Sequence, residues 1–215
     1  MKERAICLLI GYICGLFSTG YFVGKSQKID IREHGSGNAG ATNTLRVLGP
    51  KMGFIALAGD AFKAILAILI CRHLFKTSCS EIMPLITMYA GTGAVLGHNH
   101  PFYLHFQGGK GIASSCGLMI ALKPVFFLIN GLMFIGVVAK TRFVSLGSMT
   151  MLVAFFVEVL IYRMTGGFNM PKEAQTEMVV LAAFLCASAL YRHRANIGRL
   201  KNGCENKFSF HTKEQ

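Results

Sequence analysis

Long apolar runs, almost free of charge, constrain this chain more than any other feature. Residues 5–23, 54–75, 82–96, 112–138, 143–162 and 176–191 are predominantly apolar, and between them hold only Asp60, Lys63, Arg72, Lys123, Glu158 and Glu177 as charged residues. A hydrocarbon core about 30 Å thick is crossed by roughly 20 helical residues. Runs of this length therefore predict membrane-spanning helices. Composition agrees: 53% of residues are hydrophobic and 15% charged, with a mean hydropathy of +0.48. A disordered chain is excluded and a soluble globule disfavoured. The 22 Lys+Arg against 10 Asp+Glu leave a formal charge of +12. A nucleic-acid binder of that charge is not normally so apolar, so no nucleic-acid partner is expected. The basic excess belongs in loops.

The 27-residue run 112–138 is over-long for one crossing, and Pro124 predicts a break at Lys123. Helices are expected over 5–23, 54–75, 82–96, 112–122, 124–138, 143–162 and 176–191. The fold class is thus an all-α, multi-pass transmembrane bundle of about seven helices, two of them short. One integral membrane domain is expected over 1–215. If the two short helices form a re-entrant pair, five crossings remain, and either odd count puts the termini on opposite sides. Both counts also gather the polar stretches 25–53, 98–111, 140–142 and 192–215 on one face. That face carries 14 of the basic residues and the other 7, with Lys63 inside a span. The positive-inside rule makes the 14-charge face cytoplasmic and the N-terminus external. Lys2 and Arg4 precede the first run as in a signal peptide, but no small-residue cleavage site follows, so a retained span is expected. The seven Cys are odd in number and form no C-x-x-C, so neither a disulfide framework nor a zinc site is indicated.

Three polar stretches carry chemistry. Residues 35–46 read GSGNAGATNTLR. Gly35, Gly37 and Gly40 allow close approach of backbone N–H groups, Ser36, Asn38, Thr42 and Asn43 add hydrogen-bonding side chains, and Arg46 supplies a fork for phosphate oxygens. A loop capping a helix at Ser36 or Thr42 is the plainer reading. The G-x-G-x-x-G spacing mimics a dinucleotide fingerprint, but no strand precedes it and Asp60, 20 residues beyond Gly40, falls in an apolar helix. Residues 97–111 read GHNHPFYLHFQGGKG. Lys110, among Gly108, Gly109 and Gly111, opens a helix at Ile112, so ammonium and helix N-terminus both face an anion. This is not a Walker A loop: Leu104 stands at the first glycine and Gly111 at the Ser/Thr. No carboxylate or Cys accompanies its histidines, so no metal is expected; His98 reads as a capping or hydrogen-bonding group and His105 as interfacial. Residues 193–200 read HRANIGRL, with His193 and Asn196 at i, i+3 on one helix face. The surrounding arginines read as a stop patch against lipid headgroups. Asp60 and Lys63 share a face within a span, where ions pair or serve function; Ser145, Ser148 and Glu158 admit structural or catalytic parts alike.

With these three motifs in order over nearly the whole chain, the sequence resembles the bacterial acyl-phosphate:glycerol-3-phosphate acyltransferases. The family patterns are approximately G-S-G-N-x-G-A-T-N-x-x-R, G-H-x-x-P…G-G-K-G and H-R-x-N-I-x-R-L. Ala39 stands where the family usually has Pro, Gln107 replaces a common Lys, and Ala64 a usual Gly. The resemblance implies transfer of a fatty acyl group from acyl-phosphate to the 1-hydroxyl of glycerol 3-phosphate, at the cytoplasmic face of a bacterial inner membrane. It implies that Ser36, Arg46 and Lys110 bind phosphate groups, and that Thr42, Asn43, Ser145, His193 and Asn196 line or order the site. Gly108, Gly109 and Gly111 would offer N–H groups to an oxyanion. No cofactor is expected, because the donor arrives activated, and the chain is expected to act as a monomer in the bilayer. The alternative is a transporter for phosphate or glycerol phosphate. Against it, the motifs gather at one face rather than the midplane, and no two halves match.

Overall fold

The structure is a computed structural model and describes residues 1–208; the end of the expected polar tail, 209–215 with Lys213, lies outside the described residues. Every regular element among the described residues is helical. Nine α-helices lie among the described residues: six match expected helices, several with longer ends, two divide the first expected span between them, and one follows the last span. They are α1 (Lys2–Gly15), α2 (Thr19–Ser26), α3 (Ala41–Phe75), α4 (Met83–Asn99), α5 (Ile112–Leu122), α6 (Pro124–Thr141), α7 (Val144–Met164), α8 (Lys172–Arg192) and α9 (Arg194–Lys201). Among the described residues, five segments are long and apolar enough to cross a membrane: 2–26, 41–75, 124–141, 144–164 and 172–192. The 17 residues of α4 extend about 25 Å, and the 11 of α5 only about 16 Å. Lys123, extended at φ −154° and ψ 112°, separates α5 from α6 as Pro124 requires.

Two features depart from the sequence reading. The first span is not one helix: it breaks at residues 16–18 into α1 and α2. The stretch 25–53 is not all loop: it turns helical at Ala41, and α3 kinks where Gly49 adopts φ 85° ahead of Pro50. Proline cannot donate to the helical ladder, and positive φ favours glycine, so the pair turns the chain sharply. At the kink a Cβ on Gly53 would stand 2.3 Å from Leu45 Cβ, so the two arms of α3 touch.

α4 is buried on nearly every side by α1, α3, α5 and α8. Its closest approach is to α1, through small residues at helical spacing. A Cβ added to Gly11 would meet Ala90 O at 2.1 Å, one on Gly93 would meet Leu8 O at 2.2 Å, and one on Gly97 would meet Tyr12 O at 2.2 Å. On the far side of the bundle from the motifs, Arg4 grips Glu177 through two bonds of 2.6 and 2.8 Å, and Tyr89 donates to the same carboxylate at 3.1 Å. That cluster ties α1, α4 and α8 together. α6 lies outermost, with Leu128, Leu132 and Ile135 exposed to the lipid position. Glu158 of α7 is met by Asn130 of α6, whose Nδ2 donates to it at 2.5 Å. All seven Cys are free.

Gly93→Ala drives a methyl into the α1 backbone and should destabilise the protein by about 1–3 kcal/mol, as core overpacking does. Gly131→Ala, with open space around its Cβ, should leave the melting temperature unchanged or slightly raised. Thermal unfolding of both variants in detergent checks the contrast.

Candidate active site

One cavity of about 140 Å³ lies where the N-terminal ends of α3, α5 and α7 meet the junction of α8 and α9. It draws on all three motifs, which chain separation alone leaves far apart.

The first motif is organised from within by Asn43. Its Nδ2 donates to the carbonyls of Ile31 and His34 at 2.9 and 3.0 Å. Its Oδ1 accepts from the N–H and hydroxyl of Ser36 at 2.8 and 3.1 Å. Gly35, at φ 62°, lies so close that a Cβ would stand 2.4 Å from that Oδ1. Asn38 Oδ1 accepts the N–H of Gly40, which is the N-cap of α3. The helix start is therefore braced by asparagine side chains rather than by a cap at Ser36 or Thr42. Ser36, Asn38, Thr42, Asn43 and Arg46 line the cavity. Gly35 and Gly37 do not; their positive φ values shape the loop. Arg46 is exposed and makes no hydrogen bond or ion pair among the described residues.

In the second motif, Gly108 and Gly109 donate their N–H groups to the carbonyls of Asn99 and His98, both at 3.1 Å. A Cβ on Gly109 would stand 1.9 Å from His98 Nε2. These two glycines are positions of close packing, with their N–H groups already engaged, so they differ from the expected oxyanion donors. The N–H groups of Lys110, Gly111, Ile112 and Ala113 make no hydrogen bond among the described residues. They sit at the N-terminus of α5, where partial positive charge collects. Arg192 holds the loop from the other side, donating to Gly108 O at 2.8 Å and to Gly109 O at 2.6 and 3.2 Å. Sequence reading counted Arg192 as a loop charge; only the fold shows that it clamps the segment carrying Lys110.

His98 is the hydrogen-bonding group expected of it. Its Nδ1 lies 2.9 Å from Lys63 Nζ and 3.5 Å from Asp60 Oδ1. Lys63 pairs with Asp60 at 2.9 Å and donates to Phe17 O at 2.6 Å. Asp60 Oδ1 accepts from the N–H and hydroxyl of Thr19 at 3.2 and 3.0 Å. The i, i+3 pair thus closes the break between α1 and α2, and Asp60 and His98 also line the cavity. His105 is exposed, at φ 53°. Among the described residues no three His, Cys, Asp or Glu side chains cluster as metal ligands.

The third motif completes the wall. His193 caps α8, and its Nδ1 lies 2.8 Å from Ala189 O. That carbonyl can only accept, so Nδ1 carries the proton and Nε2 keeps its lone pair. Burial and the neighbouring Lys110 charge pull His193 down to about 4, so the ring is neutral at physiological pH. Lys110 donates to Asn196 Oδ1. Burial, with nearby arginines, brings Lys110 down to about 8. Asn196 Nδ2 donates to Glu205 Oε1 at 2.7 Å, Ser145 donates to the same oxygen at 2.9 Å, and Arg199 binds Oε2 at 2.7 Å. Burial opposes ionisation of Glu205, but these three donors outweigh it and hold its carboxyl below the usual range. Glu205 was not anticipated, because a carboxylate in a polar tail carries no periodic signal. Ser148 lines the cavity with its hydroxyl turned to Val144 O.

The site therefore combines Arg46, Lys110 and Arg199, the N-terminal ends of α3, α5 and α7 and a neutral imidazole with apolar walls at Leu57, Ile112, Phe134 and Val144. Cations and free N–H groups suit phosphates, and the apolar side suits a hydrocarbon chain.

A family model described as glycerol-3-phosphate acyltransferase matches residues 5–203. The glycerol-3-phosphate acyltransferase of Clostridioides difficile (strain 630) is 40% identical over 207 residues, covering 94% of each chain. That of Desulforudis audaxviator (strain MP104C) is 40% identical over 213 residues, covering 98% of this chain and 99% of its own. The crystal structure of PlsY (YgiH), an integral membrane glycerol 3-phosphate acyltransferase, in its glycerol 3-phosphate form superposes with a TM-score of 0.82 at 31% identity, covering 96% of both chains. Its lysophosphatidic acid form gives 0.80. This chain belongs to the glycerol-3-phosphate acyltransferase family and is an integral membrane protein.

Arg192→Ala releases both glycine carbonyls and should lower acyltransferase kcat/KM at least about tenfold without unfolding the protein. Arg192→Lys, lacking the planar fork, should recover only part of it. Steady-state kinetics beside a melting curve for each variant test this.

Proposed function

We propose that the chain transfers a fatty acyl group from an acyl-phosphate to the 1-hydroxyl of glycerol 3-phosphate, releasing 1-acyl-glycerol 3-phosphate and inorganic phosphate. The observation that carries this reading is the convergence of Arg46, Lys110 and the N-terminus of α5 on one cavity with apolar walls. Two anionic substrates, one of them with a hydrocarbon tail, need that combination. Relatives and the solved neighbours bear the name glycerol-3-phosphate acyltransferase, which supports glycerol 3-phosphate as the acceptor.

In this reading Ser36, Arg46 and Lys110 hold phosphate groups, and Asn196 aims the Lys110 ammonium. Thr42 and Ser145 complete the polar wall, while Asn38 and Asn43 brace the first loop. The 1-hydroxyl oxygen attacks the acyl carbon, and the developing oxyanion is met by free N–H groups at Lys110, Gly111 and the first turn of α5. The carbon–oxygen bond to phosphate then breaks. The departing phosphate takes the hydroxyl proton, and His193 Nε2 orients that hydroxyl. The whole chain acts as one membrane catalytic unit, a monomer in the bacterial inner membrane. The cavity faces the cytoplasm, a reading supported by the 14 basic residues on its side against 7 opposite. The N-terminus then lies outside.

Purified protein supplied with palmitoyl phosphate and glycerol 3-phosphate should release phosphate without acyl-CoA or carrier protein. Absence of release, with uptake of glycerol phosphate into proteoliposomes, identifies a transporter instead. Lys110→Ala should abolish turnover. His193→Ala should lower kcat less than about 100-fold, since a general base contributes roughly 10²–10⁴; a loss beyond about 1,000-fold makes His193 the base.

The pH profile follows from the same groups. Lys110 is charged below about 8. Anion binding is therefore full below that pH and weakens as pH rises through it, so KM for glycerol 3-phosphate should climb on the alkaline side. His193, titrating near 4, should leave no acid limb at the usual histidine pH near 6.5.

A further inference from the structure

Asp60 is fully buried and its two carboxylate oxygens are used unequally. Oδ1 is saturated: it accepts from the Thr19 N–H at 3.2 Å, the Thr19 hydroxyl at 3.0 Å and Lys63 Nζ at 2.9 Å, with His98 Nδ1 at 3.5 Å. Oδ2 has no hydrogen-bond partner among the described residues. A buried carboxylate oxygen left unpaired is costly, and native structures rarely keep one without a use. Asp60 also lines the cavity. With Oδ1 committed to Thr19, Lys63 and His98, Oδ2 is the oxygen left for whatever enters.

The chemistry of such a guest is restricted. A carboxylate oxygen only accepts, so the guest must donate. It also repels anions, so the phosphate must lie away from it, toward Arg46, Lys110 and the helix N-termini. A neutral hydroxyl at the other end of a small phosphorylated polyol meets both conditions. Glycerol 3-phosphate presents two. The 1-hydroxyl gives up its proton during acyl transfer, whereas the 2-hydroxyl keeps its hydrogen throughout and can remain bound to a fixed acceptor. We propose that Asp60 Oδ2 accepts a hydrogen bond from the 2-hydroxyl of glycerol 3-phosphate, making Asp60 a specificity-determining residue that turns the 1-hydroxyl toward the acyl donor. The inference rests on the acyl-transfer reading above and adds a reason for the saturated state of Oδ1. Lys63, His98 and the Thr19 N–H hold the carboxylate through Oδ1, with the Thr19 hydroxyl as an extra partner, and leave Oδ2 unpaired among the described residues.

The test compares acceptors in the palmitoyl phosphate assay. 3-Hydroxypropyl phosphate keeps the nucleophile and the phosphate but lacks the 2-hydroxyl; 2-fluoro-3-hydroxypropyl phosphate replaces that hydroxyl by a group that cannot donate. The wild-type protein should favour glycerol 3-phosphate over both by about tenfold or more in kcat/KM, because a bond to a charged acceptor is lost. Asp60→Asn should shrink that preference to less than about threefold, chiefly through a raised KM for glycerol 3-phosphate. Thr19→Val, which removes a partner of Oδ1 only, should keep the full preference. Equal wild-type rates with the three acceptors overturn the proposal. So does an Asp60→Asn variant that loses activity equally on all three, which would place Asp60 on the 1-hydroxyl or in the frame alone. If Asp60→Asn does not fold, the fluoro acceptor on wild-type protein decides: full activity overturns the proposal and a tenfold loss supports it. If wild-type protein shows no acyl-phosphate-dependent turnover, the acyl-transfer reading fails by itself. Thermal shifts with glycerol 3-phosphate and 3-hydroxypropyl phosphate then decide the Asp60 contact: a stronger shift with the former supports it, and equal shifts overturn it.

Discussion

A helix broken inside a membrane exposes backbone groups that lipid cannot satisfy, and this chain meets that constraint with one buried ion pair. Between α1 and α2 the ladder stops at residues 16–18. Asp60 receives the N–H of Thr19, Lys63 donates to Phe17 O, and the Tyr103 hydroxyl donates to Leu16 O at 2.7 Å. Removing either ion would leave the other buried and unpaired, which is more damaging than the pair is stabilising. The same pair touches His98, whose imidazole and carbonyl pack against Gly109. A structural repair in the first span is thereby joined, through two side chains, to the loop that carries Lys110.

The loop is held from both sides. His98 and Asn99 take the N–H groups of Gly108 and Gly109, while Arg192 takes their carbonyls. Each bond is modest, but together they leave the segment before α5 one conformation, and Lys110 leaves it at a defined point. On the opposite wall Glu205 gathers Asn196, Ser145 and Arg199. Donating Nδ2 to Glu205 sets the Asn196 amide with Oδ1 toward Lys110. Cations that would otherwise repel one another are thus spaced by a carboxylate and an amide, and Arg46 remains without a protein partner among the described residues to meet a ligand.

Much of the membrane architecture was legible because its cause is local. Apolar run length, the proline after Lys123 and the glycines around Lys110 act over a few residues, and α5, α6 and the start at Ile112 follow directly. Less legible were features that depend on distant partners. The break after α1 is invisible in an unbroken apolar run, since its stabilisers, Asp60, Lys63 and Tyr103, are far along the chain. The helical turn at Ala41 was masked by the polarity of the stretch 25–53, and the kink at Gly49 and Pro50 lies in that same stretch, ahead of the apolar run that starts at 54.

The candidate site divides in the same way. By itself the amino-acid sequence determined which groups are chemically suited to phosphate, Ser36, Arg46, Lys110, His193 and Asn196 among them, because side-chain charge and hydrogen-bonding capacity are intrinsic. It also determined, through charge and hydropathy, that their loops share one face. Only the tertiary structure decided which of those groups are already engaged. Gly108 and Gly109 surrender their N–H groups to carbonyls beside them, Arg192 turns inward to a loop, and Glu205 enters from the tail. Hydrogen-bond valence is spent in three dimensions, and the partner that consumes a donor or acceptor need not be near it in the chain.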